Sequence, residues 1–187
     1  MINYLYLLPE IILTSALSII IIMDLFLSDR YKYVSYYLIQ LLLFASIYII
    51  YSNILFLSTN TSLLYETNFF SSFFKIFILL SLMIIFYYTY QFLKNFKIYK
   101  TEYFIISLFG SLGMMIMVSA NHLLLLYLGI ELLSLSLYSV IAFNKKSIYS
   151  SEAAVKYYIL GAMSSGFLLF GVSLIYGLTG SLFYNEI

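Results

Sequence analysis

The chain lacks several residue types on which common classes of protein site depend. It has no cysteine, which excludes disulfides, thiolate metal sites and cysteine-bound iron–sulfur clusters. Its one histidine, His122, is too few for a His-rich metal or haem site. A signal peptide is not indicated, because the first apolar run is too long and has neither a basic flank nor a small-residue cleavage site.

Charge is also scarce. Charged residues make up 9% of the 187 residues and hydrophobic residues 64%. Soluble domains carry roughly 25% charged residues, so this chain has too few to cover a water-exposed surface. The net charge of +1 gives no reason to expect nucleic acid or an acidic partner. The composition predicts an integral membrane protein whose surplus apolar side chains contact membrane lipids.

Long apolar runs predict an all-α fold of six transmembrane helices, since a spanning helix needs about 20 mostly apolar residues. The predicted spans are approximately 5–27, 34–57, 76–93, 103–120, 121–143 and 153–178. A tight turn near Ala120–His122 is expected to separate the fourth span from the fifth. No soluble domain is predicted, so the chain reads as a single transmembrane domain over 1–187.

The basic residues test the number of spans. Seven of the nine Lys and Arg residues fall in the first, third and fifth loops, and only Lys75 and Lys156 lie elsewhere. Basic loops face the cytoplasmic side, so the N terminus is predicted to face outward. Lys75 is read as the outer start of the third helix, and His122 as a turn or interface residue.

Glu131 is the first candidate functional residue. It sits near the middle of the fifth apolar span, where a carboxylate costs roughly 2.5–3.5 kcal/mol on insertion scales and therefore must face protein or water. Helical spacing places Tyr127, Ser134 and Tyr138 on the same face, and such a stripe of hydroxyls could order water and pass protons. The alternative is that Glu131 only hydrogen-bonds a neighbouring helix.

Lys156 is the second candidate, and its position alone favours a plainer interpretation. It is predicted to lie four residues into the sixth helix, with Glu152 one turn earlier. Such an i,i+4 pair is common at exposed helix starts, and lysine side chains near a helix end reach to the interface. From the inner side, Glu131 is expected about 18 Å deep and Lys156 about 5 Å deep.

Two long stretches carry a resemblance to a known family. They are 110–138, GSLGMMIMVSANHLLLLYLGIELLSLSLY, and 151–171, SEAAVKYYILGAMSSGFLLFG, followed by 175–181, IYGLTGS. They resemble chain 2 of the proton-pumping NADH–ubiquinone oxidoreductase, an antiporter-like subunit of respiratory complex I, and Leu8-Pro9-Glu10 fits the way that family begins. Between residues 28 and 100 only the hydropathy matches.

The resemblance implies a part of an antiporter-like helix bundle with no redox chemistry of its own. Glu131 matches the family's glutamate of the fifth helix, which acts with lysines on later helices, and Glu152 and Lys156 match its Glu-Ala-x-x-Lys-Tyr motif. Family members have more than ten helices, whereas this chain has six. The expectation is therefore a split subunit whose other helices come on a second polypeptide, with a truncated form as the alternative.

The sequence thus predicts a membrane-arm subunit of complex I that contributes part of a proton path and carries no cofactor. The expected partners are other complex I membrane subunits, the second chain and membrane lipids. A bias toward residues with AT-rich codons favours the mitochondrial inner membrane, with a bacterial plasma membrane as the alternative. Two rival functions remain: a cation/proton antiporter subunit, and a structural membrane subunit without a proton path.

Overall fold

The computed structural model describes residues 7–27, 33–54, 60–61, 64–95, 101–144 and 147–187. Within these ranges the chain forms six α-helices and one pair of short antiparallel strands. The elements are α1 (Leu8–Phe26), α2 (Tyr33–Ile54), β1 (Asn60–Thr61), β2 (Glu66–Thr67), α3 (Phe69–Asn95), α4 (Thr101–Val118), α5 (Leu123–Ile141) and α6 (Ile148–Thr179).

All six described helices are long and apolar enough to cross a membrane. The shortest, α4, has 18 residues, which corresponds to about 27 Å, and α6 has 32 residues, or about 48 Å. The six-helix prediction is therefore confirmed. The single proline, Pro9, lies in the first turn of α1, where a missing backbone N–H costs little.

Two predicted helix starts are wrong. Helix α3 begins at Phe69 rather than 76, because the Ser71 hydroxyl accepts a hydrogen bond from Asn68 N at 2.8 Å and closes the first turn. Helix α6 begins at Ile148 rather than 153, where Ser147 is the N-cap and accepts from Ser150 N. Polar residues in both first turns hid these starts.

Helices α1 to α4 share one hydrophobic core, and α5 and α6 lie beside it. In an apolar stretch of 18 residues, 50% of the residues of α4 are buried, whereas only 6% of those of α6 are buried. Helix α5 packs on α4, and α6 packs on α5. Core members include Leu13, Leu17, Ile39, Leu43, Leu79, Phe86, Phe104 and Leu108.

Two glycines bring α4 and α5 together backbone to backbone. A Cβ added to Gly113 would lie 2.6 Å from the carbonyl oxygen of Gly129, and one added to Gly129 would lie 2.8 Å from the carbonyl oxygen of Gly113. Any larger side chain at either position would push the helices apart, so this reciprocal contact fixes the position of α5 on the bundle.

Main-chain hydrogen bonds join three segments at one end of the bundle. Glu66 N donates to Ser119 O at 2.9 Å, Asn121 N donates to Leu64 O at 3.0 Å, and Leu123 N donates to Leu182 O at 3.0 Å. We call this the hairpin end, comprising residues 64–67, 119–123 and 182–184. The second and fourth connections therefore share one end with the last residues of the chain, as six antiparallel spans require.

The basic residues that set the predicted orientation lie mostly outside the described residues. Lys94 is in the last turn of α3, at the end of the bundle opposite the hairpin end. That the hairpin end faces outward remains a prediction from the loop charges. The other six basic loop residues, Arg30, Lys32, Lys97, Lys100, Lys145 and Lys146, are not among the described residues.

Candidate functional site

The polar stripe predicted on α5 lies on the face of the helix that points away from α4. Helix α5 is continuous from Leu123 to Ile141, so at about 100° per residue Tyr127, Glu131, Ser134 and Tyr138 fall within about 60° of one another. The glycine face of α5, which contacts α4, is on the opposite side. All four side chains are half-buried in this chain.

Two members of the stripe are already engaged. The Ser134 hydroxyl donates to the carbonyl oxygen of Ile130 at 2.8 Å, on its own helix. The Tyr138 side chain reaches α6, where its hydroxyl lies so close to Gly161 that an added Cβ would clash with it. Tyr138 also contacts Tyr157 edge to face, with ring centroids 5.3 Å apart. Tyr138 is therefore a packing residue between α5 and α6.

Glu131 has no hydrogen bond or ion pair within the described part of the chain. Its carboxylate projects from the face opposite α4, two residues beyond the Gly129 contact that fixes the helix. A charged group at this depth needs a polar or cationic partner. The geometry therefore leaves Glu131 free to meet a group from beyond these six helices.

Lys156 and Glu152 form an ion pair on the exposed side of α6. The Lys156 Nζ to Glu152 Oε1 distance is 2.5 Å, and the two side chains are 69% and 54% exposed. Lys156 is the ninth residue of α6 rather than the fourth, because the helix starts earlier than predicted. The residues that contact Tyr138 lie about 150° around the helix from Lys156, so Lys156 points away from α5.

The structure does not bring Glu131 and Lys156 together. The Ser150 hydroxyl donates to Ile141 O at 2.5 Å, which joins the end of α5 to the start of α6. Glu131 lies about 15 Å along α5 from Ile141, and Lys156 lies about 9 Å along α6 from Ser150. The two side chains are on different helices and face different directions.

A second group of ionisable residues, which sequence reasoning missed, is buried near the hairpin end. Lys75 Nζ lies 2.8 Å from Glu10 Oε1, and the Tyr65 hydroxyl donates to the same oxygen at 2.5 Å. Lys75 also donates to the Tyr65 hydroxyl at 2.5 Å. Relative exposures are 7% for Glu10, 7% for Tyr65 and 2% for Lys75. We call this the Glu10–Tyr65–Lys75 cluster.

The electrostatics of the cluster keep the Tyr65 hydroxyl neutral. Burial, reinforced by the adjacent Glu10 carboxylate, raises the pKa of the Tyr65 hydroxyl far above its ordinary value. Tyr65 therefore remains a neutral hydrogen-bond donor, and the Lys75 ammonium also sits over its ring, 4.7 Å from the centroid. The Glu10 carboxylate and the Lys75 ammonium form an ion pair of opposite charges within the cluster.

The cluster corrects the prediction for Lys75. Lys75 is the seventh residue of α3 and almost fully buried, so it does not mark the start of that helix. A usable signal was present: Glu10 and Lys75 have opposite charges and lie near those ends of two apolar spans that the six-helix topology places on the same side. By contrast, His122 is a turn residue as predicted, because Nδ1 accepts a hydrogen bond from Leu124 N at the start of α5.

Part of the chain matches a known protein family. Residues 120–187 match the family described as NADH:quinone oxidoreductase/Mrp antiporter, transmembrane. This region contains α5, α6 and all six of the residues singled out from the sequence. This part of the chain is therefore similar to the transmembrane region of that family.

Two similar proteins indicate which subunit this chain resembles. The chain is 43% identical over 184 residues to NADH-quinone oxidoreductase subunit N of Ruthia magnifica subsp. Calyptogena magnifica, covering 96% of this chain and 37% of the relative. It is 40% identical over 182 residues to subunit N of Hydrogenovibrio crunogenus, with 95% and 37% covered. The chain thus spans little more than a third of the length of these relatives, and both are bacterial.

A solved structure supports the same fold. A chain of respiratory complex I from Thermus thermophilus with bound aureothin superimposes with a TM-score of 0.75 at 25% identity, covering 94% of this chain and 38% of that one. The predicted antiporter-like helix bundle is therefore confirmed at the level of the fold.

Proposed function

We propose that this chain forms part of an antiporter-like membrane-arm subunit of a proton-pumping NADH:quinone oxidoreductase and contributes part of its proton path. The observation that carries the proposal is the Glu131 carboxylate. It lies within a spanning helix, in the region that matches the NADH:quinone oxidoreductase/Mrp antiporter family. The redox chemistry takes place elsewhere in the assembly, and we expect no NADH, flavin or iron–sulfur cluster on this chain.

Glu131 acts in this proposal as a carboxylate whose protonation follows its surroundings. A cation near a carboxylate favours its charged form, and removal of that cation favours uptake of a proton. The cation would come from helices beyond α6, because Lys156 points away from Glu131. Glu152 and Lys156 would tune the electrostatics of the same region from the other face of α6, and Tyr127, Ser134 and Tyr138 would line the route.

The exposed surface of α6 supports further partners. Only Ala154 and Val172 are buried on this 32-residue helix, and a Cβ added to Gly166 or Gly171 would meet nothing within 4 Å. Small residues on a membrane helix permit close helix packing. We propose that the remaining helices of the subunit, on the same or a second polypeptide, and neighbouring membrane subunits cover this surface.

The type of subunit and its membrane are finer proposals. The sequence motifs favour the chain 2 type of this subunit, whereas the relatives described above carry the bacterial name subunit N. The AT-rich codon bias favours the mitochondrial inner membrane, and the bacterial relatives favour a plasma membrane. Fractionation of the source cells with antibody to this chain separates these two locations.

Replacement of Glu131 by Gln tests the main proposal. Glu131→Gln keeps the shape of the side chain and removes the titrating proton, so the native assembly should form and oxidise NADH but lose most of its coupled proton translocation. The measurement is protons moved per NADH oxidised in closed vesicles. The matched control is Glu102→Gln, which removes an exposed carboxylate in the first turn of α4. Unchanged proton translocation in an assembled Glu131→Gln variant would remove Glu131 from the mechanism.

A cation/proton antiporter subunit is the second candidate, because the matching family description includes the Mrp antiporter. In that case the native assembly would exchange sodium for protons and would contain no NADH-oxidising subunits. Gentle purification of the assembly and identification of its partners distinguishes the two functions. If Glu131 were dispensable in both assays, the chain would be a structural membrane subunit.

A further inference from the structure

We propose that the Glu10–Tyr65–Lys75 cluster is a second proton-binding site, which exchanges one proton through Glu10 Oε2 at the hairpin end of the bundle. The inference rests on the proposed function, because a proton path needs an exchange group near each membrane surface. It concerns residues far in sequence from Glu131 and outside the region that matches the NADH:quinone oxidoreductase/Mrp antiporter family.

The two oxygens of the Glu10 carboxylate are bound very differently. Oε1 contacts the Lys75 ammonium at 2.8 Å and accepts from the Tyr65 hydroxyl. Oε2 is buried and has no hydrogen-bond partner among the described residues. A buried acceptor without a donor is costly, and a water molecule that donates to this oxygen would remove the cost and could also carry a proton to it. Oε2 is therefore the position at which the cluster can change its protonation.

The protonation step balances without any other reactant. A hydronium ion donates its proton to Glu10 Oε2, an O–H bond forms, and a water molecule leaves. The cluster changes from net zero, with Glu10 negative and Lys75 positive, to net +1. Release is the reverse step, and the proton passes from Oε2 to a water molecule. Tyr65 keeps its proton throughout, because burial raises the pKa of its hydroxyl.

The other carboxylates and the histidine described near the hairpin end have hydrogen bonds of their own, and the Glu186 carboxylate there accepts from the Ser181 hydroxyl. The Glu66 carboxylate accepts from Asn68 Nδ2 at 2.8 Å, and His122 Nδ1 accepts from Leu124 N. From the elements packed against Glu10, the groups in contact with its carboxylate are Tyr65 of the segment before β2 and Lys75 of α3. Among these groups Glu10 is the one with a buried carboxylate oxygen that has no hydrogen-bond partner in the described part of the chain.

The position of the cluster suits exchange with the nearby membrane surface. Glu10 is the third residue of α1, and Lys75 lies about 9 Å along α3 from its first residue. At this end the described residues beyond the helices include the two short strands, the turn between α4 and α5, and residues 182–184. A short path of water can span such a distance, whereas the opposite surface lies most of a bilayer thickness away.

A double variant of Glu10 and Lys75 distinguishes a proton-binding site from an ion pair that is only structural. Replacing either Glu10 or Lys75 alone leaves a buried charge without its partner, which destabilises any protein. The double variant Glu10→Gln with Lys75→Gln has no buried charge and keeps side chains that can hydrogen-bond to each other and to Tyr65. If the pair were only a structural link, this variant would assemble and pump normally.

The experiment uses the native assembly purified from its own membranes and reconstituted in closed vesicles. In the assembled double variant we expect coupled proton translocation to fall roughly tenfold or more, since a positioned proton-transfer group commonly contributes about 100-fold or more. We also expect infrared difference spectra on acidification to lose one protonated-carboxyl band. Wild-type translocation, or an unchanged set of carboxyl bands, overturns the proposal.

A second variant covers failure of the double variant to assemble. Tyr65→Phe keeps the ion pair and removes one donor to Glu10 Oε1, so the carboxyl band should change and translocation should slow while assembly is retained. An unaltered band in this variant overturns the proposal. The matched control is Glu66→Gln at the adjacent residue, the first of β2, which should leave both readouts at wild-type levels.

The wild-type and double-variant measurements together show whether the proposed function or the inference about Glu10 has failed. If the wild-type assembly does not couple NADH oxidation to proton movement, the proposed function fails, and the infrared test still decides whether Glu10 binds a proton. If the wild-type assembly pumps and the double variant pumps equally well, only the inference about Glu10 fails.

Discussion

Replacing Gly113 by Ala tests the contact that holds α5, and with it Glu131, against the bundle. The added Cβ would lie 2.6 Å from Gly129 O and 2.8 Å from Leu133 N, and both are backbone atoms that cannot rotate away. To reach an ordinary contact of 3.4 Å from 2.6 Å, the two helices must move apart by about 0.8 Å at this point. Overpacking of this kind costs about 1–3 kcal/mol.

A matched control removes the opposing effect of alanine on helix propensity. Alanine is favoured over glycine in a helix by up to about 1 kcal/mol, and Gly113→Ala and Gly166→Ala both gain it. Gly166 has nothing within 4 Å of the added Cβ. The difference in stability between the two variants therefore isolates the clash, at about 1–3 kcal/mol.

The assay is thermal unfolding of the 187-residue chain in detergent micelles. For a chain of this size each kcal/mol shifts the Tm by about 2–4 °C, so Gly113→Ala should melt several degrees below Gly166→Ala. Equal Tm values for the two variants would refute the close backbone contact between α4 and α5, and with it the fixed position of Glu131.

Two more predictions concern ionisable groups. Burial and the Glu10 carboxylate raise the pKa of Tyr65 above its ordinary 10.0, so the unfolded chain loses this proton first and stability falls as the pH rises above that value. Tyr65→Phe should lessen this alkaline loss in denaturation curves, and an equal loss would contradict the assignment. Lys156→Ala should shift the Tm of the chain alone by about 2 °C or less, because exposed i,i+4 pairs contribute about 0.2–0.5 kcal/mol. A larger shift in the chain alone would show that the pair with Glu152 is not solvent-exposed.

The sequence predicted the six helices well because each span is a long run with few charges, and such a run has one stable form in lipid. It failed at the starts of α3 and α6 because first turns carry polar residues that cap the helix, such as Ser71 and Ser147, and polar residues look like loop. Hydropathy is therefore a good guide to the middle of a span and a poor one to its ends.

The candidate site was predicted only where its residues share one helix. Glu131, Ser134 and Tyr138 follow from helical spacing alone. The Glu10–Tyr65–Lys75 cluster joins residues up to 65 positions apart in sequence, and no local pattern encodes that contact. The direction in which Lys156 points was also hidden, because it depends on which side of α6 packs against Tyr138.

The main-chain contacts at the hairpin end have a consequence for how this chain can change in evolution. Backbone N–H and C=O groups occur at every position except the N–H of proline, so the main-chain hydrogen bonds of residues 64–67, 119–123 and 182–184 do not depend on which side chains are present. The exception is Tyr65, whose side chain belongs to the Glu10–Tyr65–Lys75 cluster. An inserted or deleted residue is different, because it shifts the register of paired backbones by one and reverses which side chains face inward. These connections should therefore vary in composition among homologues but keep a constant length.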